Sequence, residues 1–253
     1  MLDESVHIKP GERIDDLQRA SLRIIQNPET LCFGVDAVLL AHFARAKAGE
    51  CVCDLGTGNG IVALLVCALY PVRHVHAVEI QPLLCDMAAR SVAMNGLSSR
   101  ITIHQIDLRS AADSLGHGTF DLVLSNPPYL PKDTGLLNPS NTLAVSRHEI
   151  LCSLSDVATA SAALLKNRGR TVLIHRAERT AEVLSTLSQA RLEPKRIRYV
   201  HSEPGKDACL VLVEAVKLAR PGVVVRPPLF LRDSDGKAST EMEQLYKGGT
   251  LLA

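Results

Sequence analysis

The chain has 253 residues, enough for one large α/β domain with a substantial buried core. Its hydrophobic fraction is 46% and its aromatic fraction 3%, so the core is aliphatic, and a formal net charge of +1 excludes a protein that coats nucleic acid non-specifically while leaving room for a local basic patch. The seven cysteines (Cys32, Cys51, Cys53, Cys67, Cys85, Cys152, Cys209) include no C-x-x-C pair, which points to reduced, buried thiols in a cytoplasmic protein and away from a zinc site or a disulfide framework.

The opening "MLDESVHIKPGERIDD" is polar and reads as no signal peptide, and no apolar stretch approaches the ~20 residues needed to span a bilayer. "LCFGVDAVLLAHFA" (31–44) reads as an amphipathic helix opened by Asp36, with Phe33 and Gly34 before it. From residue 50 short apolar runs alternate with helical patterns. "CVCDLG" and "HVHAVEI" are predicted strands with the helix "IVALLVCALY" between them. Pro82 opens a second helix and Gly96 closes it. "ITIHQID" and "FDLVLSN" are the next strands, followed by the helix "SDVATASAALLKN" closed by Gly169, the strand "RTVLIH" and the helix "AERTAEVLSTLSQA". The strands "RIRYVH" and "CLVLVEAV" are joined by too few residues for a crossover and are predicted to be antiparallel neighbours. Repeated β-α units ending in one hairpin describe a doubly wound, mostly parallel sheet with a single reversed strand.

Ligands of such sheets lie outside the C-terminal ends of the strands. Four consecutive strands end here in unusual residues: "DLGTGNG" (54–60), Glu79, Asp107 and "NPPY" (126–129). In the glycine turn Ile61 replaces the third glycine of a dinucleotide fingerprint, which disfavours a pyrophosphate cradle. Taken singly, each feature has a plainer reading: a tight turn, a charge at a helix N-terminus for Glu79, a solvated strand-end aspartate for Asp107. In "SNPPYLP" the two prolines fix a rigid, extended exit from the sheet that offers an amide side chain, a free carbonyl and an aromatic face, a set suited to something flat with an amino group.

Together the four ends resemble, in order, the glycine turn, ribose acid, adenine acid and post-strand-four motif of class I S-adenosylmethionine-dependent methyltransferases. The resemblance covers roughly residues 30–215 and implies a Rossmann-like, seven-stranded α/β fold with a C-terminal antiparallel hairpin. It also implies S-adenosyl-L-methionine as cofactor, held by Phe33, Asp36, Asp54, Gly56, Thr57, Gly58, Gly60, Glu79, Ile80, Asp107, Leu108 and Asn126, with no metal. In these enzymes [DNS]-P-P-[YFW] marks methylation of a planar nitrogen, a poor nucleophile because its lone pair is conjugated. On that pattern the Asn126 side-chain oxygen and the Pro127 carbonyl take the two N–H protons, and Tyr129 stacks on the ring. With "IIQNPETLCFGVDAVLLAHFA", "DLGTGNGIVALL", "VEIQPLLCDMAARSVAMNGL", "SRHEI", "LEPKRIRYV" and "LVEAVK" added, the chain is similar to the bacterial tRNA1(Val) (adenine(37)-N(6))-methyltransferase family, in its Gram-positive type.

That family implies a tRNA partner and no membrane. The basic residues available to RNA are Lys195, Arg196, Arg198 and Lys206, with Lys166, Arg168 and Arg170 ahead of the fifth strand, although such charges usually form only a solvated face. Alternatives are methylation of a release-factor glutamine or of a guanine amine in rRNA, and a catalytically silent RNA-binding module. The expected organisation is an N-terminal extension with a pocket-closing helix (1–48), the methyltransferase domain (49–217) and a C-terminal tail packed on it (218–253).

Overall fold

The computed structural model describes residues 7–17, 21–28, 34–127 and 152–246. Seven strands form the body of one sheet: β3 (Cys51–Leu55), β4 (His74–Glu79), β5 (Ile101–Gln105), β6 (Phe120–Ser125), β7 (Leu165–Arg176), β8 (Leu192–His201) and β9 (Ala208–Lys217). Their order is β8-β9-β7-β6-β3-β4-β5, all parallel except β9, which is antiparallel to both β7 and β8. The expected single reversed strand is therefore present. Two further pieces, β10 (Val224–Val225) and β11 (Leu229–Phe230), pair in parallel with the outer edge of β8, so the sheet has nine strands and not seven. The tail covers backbone groups that an edge strand would leave unpaired, and Pro227 and Pro228, which have no N–H to give, split its pairing in two.

Helix α1 (Val35–Ala44) precedes the sheet, and the crossovers between its strands are helical: α2 (Ile61–Leu69), α3 (Pro82–Met94), α4 (Ala111–Leu115), α5 (Leu154–Leu164) and α6 (Thr180–Gln189). A seventh helix, α7 (Thr240–Tyr246), lies in the tail. Strand β3 is buried at every position, and Ile61 to Cys67 of α2 are buried in sequence, as expected of elements apolar on all sides. One core layer joins α1, α2 and the tail residues Leu229, Met242 and Leu245, and a second joins α5 and α6 to the other sheet face.

Two helix boundaries depart from the sequence reading. Gly34, not Asp36, is the N-cap of α1; Asp36 is its second residue. Helix α5 opens on a Ser153–Asp156 capping box but stops at Leu164, five residues before Gly169. Leu165 already pairs with Phe120, and pairing resumes only at Arg170 with Leu122, so residues 166–169 bulge from β7. A Cβ on Gly169 would stand 2.9 Å from the Lys166 carbonyl oxygen and 3.2 Å from that of Phe120. Close backbone approach, not a helix cap, requires glycine there.

An N-terminal hairpin, β1 (Arg13–Asp16) and β2 (Arg23–Gln26), docks on α3. The Asn95 side chain accepts from Arg23 N at 2.9 Å and donates to Arg23 O at 2.6 Å, which imitates one rung of a strand ladder. Ile25 N donates to Ser91 Oγ at 3.0 Å, and the Ile25 side chain is buried with Leu84, Met87 and Met94. Arg90 reaches both Glu12, at 2.6 Å, and Asp86, at 2.6 Å.

Candidate active site

Parallel register brings the four special strand ends to one rim, since Leu55 pairs with Val78 and with Ser125, and Glu79 with Gln105. Past Leu55 the chain turns through Gly56, Gly58 and Gly60, whose φ values of +71°, +60° and +88° lie in the left-handed region that side chains disfavour. Gly56 N and Thr57 N both donate to Val78 O at 2.9 Å, fastening the turn to β4. Glu79, 4% exposed, completes the fastening: one carboxylate oxygen accepts from Gly58 N at 3.0 Å, the other from Ile80 N and Gln81 N at 2.9 Å each. Glu79 thus shapes the turn itself while keeping acceptor capacity at its lip.

Asp54 is 1% exposed and accepts from Thr57 Oγ1 at 2.6 Å. Burial drives its pKa up to about 7; the Thr57 hydrogen bond opposes that rise and the nearby Glu79 charge adds to it. The side chain is engaged inside the turn by Thr57. Asn59 is a site residue that the sequence reading missed. It is fully buried, and neither its amide nitrogen nor its oxygen has a hydrogen-bond partner among the described residues. An asparagine among glycines reads as a turn former, so only its burial reveals an unspent donor and acceptor.

Asp107 follows β5 and caps the 3-10 turn Leu108–Ser110, accepting from Arg109 N at 2.9 Å. Its carboxylate also holds the Arg109 guanidinium, and that hydrogen bonding keeps its pKa below the usual range. Leu108 is buried behind it. At the end of β6, Ser125 Oγ donates to Leu55 O at 2.9 Å, tying the Asn126–Pro127 exit to the start of the glycine turn. Asn126 is half-buried and Pro127 buried. Tyr129 and Phe33 lie outside the described residues, as does "SRHEI" (146–150).

Three of the arginines expected on an RNA face, Arg170, Arg196 and Arg198, are engaged inside the protein. Arg196 donates to Phe43 O at 2.6 Å and to Glu214 at 2.9 Å, and its guanidinium stacks 4.1 Å from the centre of the Phe43 ring. Arg170 adds bonds to Ala44 O at 3.0 Å and to Glu50 and Glu214, so two guanidiniums satisfy carbonyls at the C-terminus of α1. Arg198, 5% exposed, forms a bidentate pair with Glu241 of the tail, both bonds 2.7 Å. All three are corrections: Arg170 is held by Glu50 and Glu214 under the end of α1, and in β8 residues 196 and 198 share one face, which is roofed by α1 and the tail. Lys206 is 65% exposed and Lys195 partly so, its Nζ donating to Arg220 O at 3.1 Å. Lys166 pairs with Asp121 at 2.6 Å, while Arg168 is exposed.

The arrangement fits a nucleoside carrying an amino acid. The glycine turn, exposed at Gly56 and buried from Thr57 to Gly60, the Glu79 carboxylate and the Asp107 strand end lie side by side at one end of the sheet, with the Asn59 amide buried within the turn and the Asn126–Pro127 exit next to it. Among the described residues, no group of three or more His, Cys, Asp or Glu is placed to hold a metal ion, and no helix is long and apolar enough to cross a membrane.

Residues 34–151 match the family model "Methyltransferase small domain". A "tRNA1(Val) (adenine(37)-N6)-methyltransferase" from Porphyromonas gingivalis is 31% identical over 187 residues, 72% of each chain. A "Ribosomal protein uL3 glutamine methyltransferase" from Bradyrhizobium diazoefficiens is 38% identical over 98 residues, but these are only 39% of this chain and 30% of the relative. Among solved structures, a "predicted O-methyltransferase" from Agrobacterium tumefaciens superposes with a TM-score of 0.70 at 25% identity, covering 86% of this chain and 98% of its own.

Proposed function

Because the chain belongs to the tRNA1(Val) (adenine(37)-N6)-methyltransferase family, we propose that it transfers a methyl group from S-adenosylmethionine to the exocyclic amine of an adenosine in tRNA, adenosine 37 of valine tRNA. One observation carries the reading: the rigid Asn126–Pro127 exit adjoins a turn built for a nucleoside, tied to it by the Ser125–Leu55 hydrogen bond of 2.9 Å. The glutamine methyltransferase match is confined to part of the chain, whereas the tRNA methyltransferase match extends over 72% of both partners.

S-adenosylmethionine supplies an electrophilic methyl group on its sulfonium. The chain's own work is binding and positioning. The glycine turn leaves open space at Gly56 for the amino-acid end, the Asn59 amide behind it holds a donor and an acceptor that no described residue takes, Glu79 offers acceptors to ribose hydroxyls, and the strand end at Asp107 and Leu108 faces the base. Asp107 meets an amine only when Arg109 yields part of its carboxylate. Asn126 Oδ1 and the Pro127 carbonyl accept the two N–H protons of the substrate amine and draw its lone pair out of conjugation, while Tyr129 stacks on the target base. No general base is required, because the nitrogen becomes acidic only as the methyl arrives. Domain limits at 48 and 217, and a cytoplasmic site of action, accompany this reading.

Mass spectrometry of tRNA nucleosides from a deletion strain tests it. Loss of methylated adenosine from valine tRNA, restored by the wild-type gene, is the expected result. Unchanged tRNA together with loss of methylation on a protein glutamine would transfer the activity to the rival class.

A further inference from the structure

The tail does more than seal the sheet edge. Leu231 N donates to His201 O at 2.9 Å and Arg232 N to Ser202 O at 3.0 Å, so the chain leaves β11 at the C-terminal end of β8, on the rim that carries the active site. It then turns back, Asp233 N donating to Lys237 O at 2.9 Å, and enters α7 through Ser239, whose hydroxyl accepts from Met242 N at 3.2 Å. Between this returning segment and the first turn of α1 runs an open groove of about 490 Å³, with Val35, Leu231 and Met242 among its apolar lining and Arg232 and Tyr246 at its sides.

Tyr246 and Arg232 are unusual for this molecule. Tyr246, at 39%, is the one aromatic residue among the described ones that ranks as exposed. Arg232 is exposed, and among the described residues no acidic side chain pairs with its guanidinium, whereas the neighbouring charges are spent: Lys237 on Asp235 at 3.2 Å and Glu241 on Arg198 at 2.7 Å. A ring that can take a flat partner, beside an uncommitted guanidinium, is the pairing that holds one base and its phosphate in single-stranded nucleic acid.

Register places this pair relative to the chemistry. Strand β8 lies three positions from β6, about 14 Å across the sheet, and His201 stands about three residues, or about 10 Å, beyond the level of Asn126. His201, where the tail leaves the sheet toward Arg232, therefore stands about 17 Å from Asn126, the span of about five stacked nucleotides of one strand. We propose that the groove between α1 and the C-terminal tail binds a nucleotide of the substrate RNA several positions along the strand from the target adenosine, Tyr246 stacking on the base and Arg232 pairing with phosphate. The proposal rests on the tRNA methyltransferase reading above.

Steady-state methylation of unmodified valine tRNA by the full chain, with S-adenosylmethionine binding measured separately by calorimetry, tests it. Tyr246→Leu, which keeps the buried side of the residue apolar, is expected to raise the KM for tRNA about 5- to 140-fold, the loss of one stacked base. Its kcat and cofactor affinity stay at wild-type values. Tyr246→Phe stays within about 2-fold, since the ring is retained. Arg232→Gln flattens the salt dependence of tRNA binding by about 0.7 of a logarithmic unit, the share of one single-strand phosphate. Wild-type KM and salt slope in Tyr246→Leu and Arg232→Gln, with normal cofactor binding, would overturn the groove and leave the methyltransferase reading intact. A wild-type chain that binds S-adenosylmethionine but methylates no tRNA would remove both. Weakened action on a protein substrate with tRNA affinity unchanged would assign the groove to a peptide and refute the proposal.

Discussion

Asp54 carries a cost that can be measured. In an unfolded chain its carboxyl ionises near the ordinary value of 3.8, but inside the turn burial raises the pKa to about 7. The native state therefore holds a proton that the unfolded state releases, and stability falls as pH rises between those two values. Each unit of the window is worth about 1.4 kcal/mol, so the loss accumulated from pH 5 to pH 7 is roughly 2–3 kcal/mol, and it stops growing above pH 7. Asp54→Asn removes the titration while keeping an oxygen to accept the Thr57 hydroxyl. Its constant offset from wild type, set by whichever hydrogen bond the amide cannot reproduce, does not matter here. The test is urea unfolding of both proteins at pH 5, 6, 7 and 8. The variant should gain on the wild type by roughly 2–3 kcal/mol between pH 5 and pH 7 and then run parallel to it. A stability difference that does not change with pH would mean that Asp54 is charged in the folded protein at pH 5, and the account of a neutral buried acid would be wrong.

Glu79→Ala strips the acceptor from Gly58, Ile80 and Gln81 N–H at once, so it should weaken S-adenosylmethionine binding by at least ~10-fold and also lower the melting temperature, where a residue serving only the ribose would leave melting unchanged. Calorimetry and thermal melts on the same sample separate the two. Asn126→Ala should lower kcat by about 100-fold or more in single-turnover methylation with cofactor affinity near normal, and full activity would make the proline exit a stiff corner only. Arg196→Ala removes the partner of the Phe43 carbonyl and one of the two guanidiniums on Glu214, Arg170 keeping the other bond, and should cost about 1–3 kcal/mol in denaturant unfolding, and an unchanged midpoint would restore Arg196 as a candidate for RNA.

Much of this architecture can be read from local pattern, because each parallel strand is an apolar run with its special residue at its C-terminal end. Asp54, Glu79, Asp107 and Asn126 converge for that reason alone. What pattern misses are decisions made at a distance. "KRIR" at 195–198 looks like a basic patch, and only the roof of α1 and α7, from opposite ends of the chain, turns Arg196 and Arg198 into anchors. The docking of β2 depends on Ser91 and Asn95 facing it from a helix some seventy residues later. Gly169 reads as a helix stop, yet the constraint on it comes from the Phe120 carbonyl on another strand. Asn59 carries no pattern signal, since being orphaned is a property of its surroundings.

The two guanidiniums at the end of α1 pin that helix at its C-terminus. Phe43 to Arg45 are built into β7 and β8 through Arg196 and Arg170, and the ten residues run about 15 Å from there to Val35. Sliding or rolling the helix as a body would break those guanidinium–carbonyl hydrogen bonds and pull Ala37 to Ala44 out of the core they share with α2. Val35 and Asp36, half-buried, are the least embedded residues of the helix, and the wall of the tail groove begins there. One side of that groove is therefore the loosest turn of an element otherwise locked to the sheet.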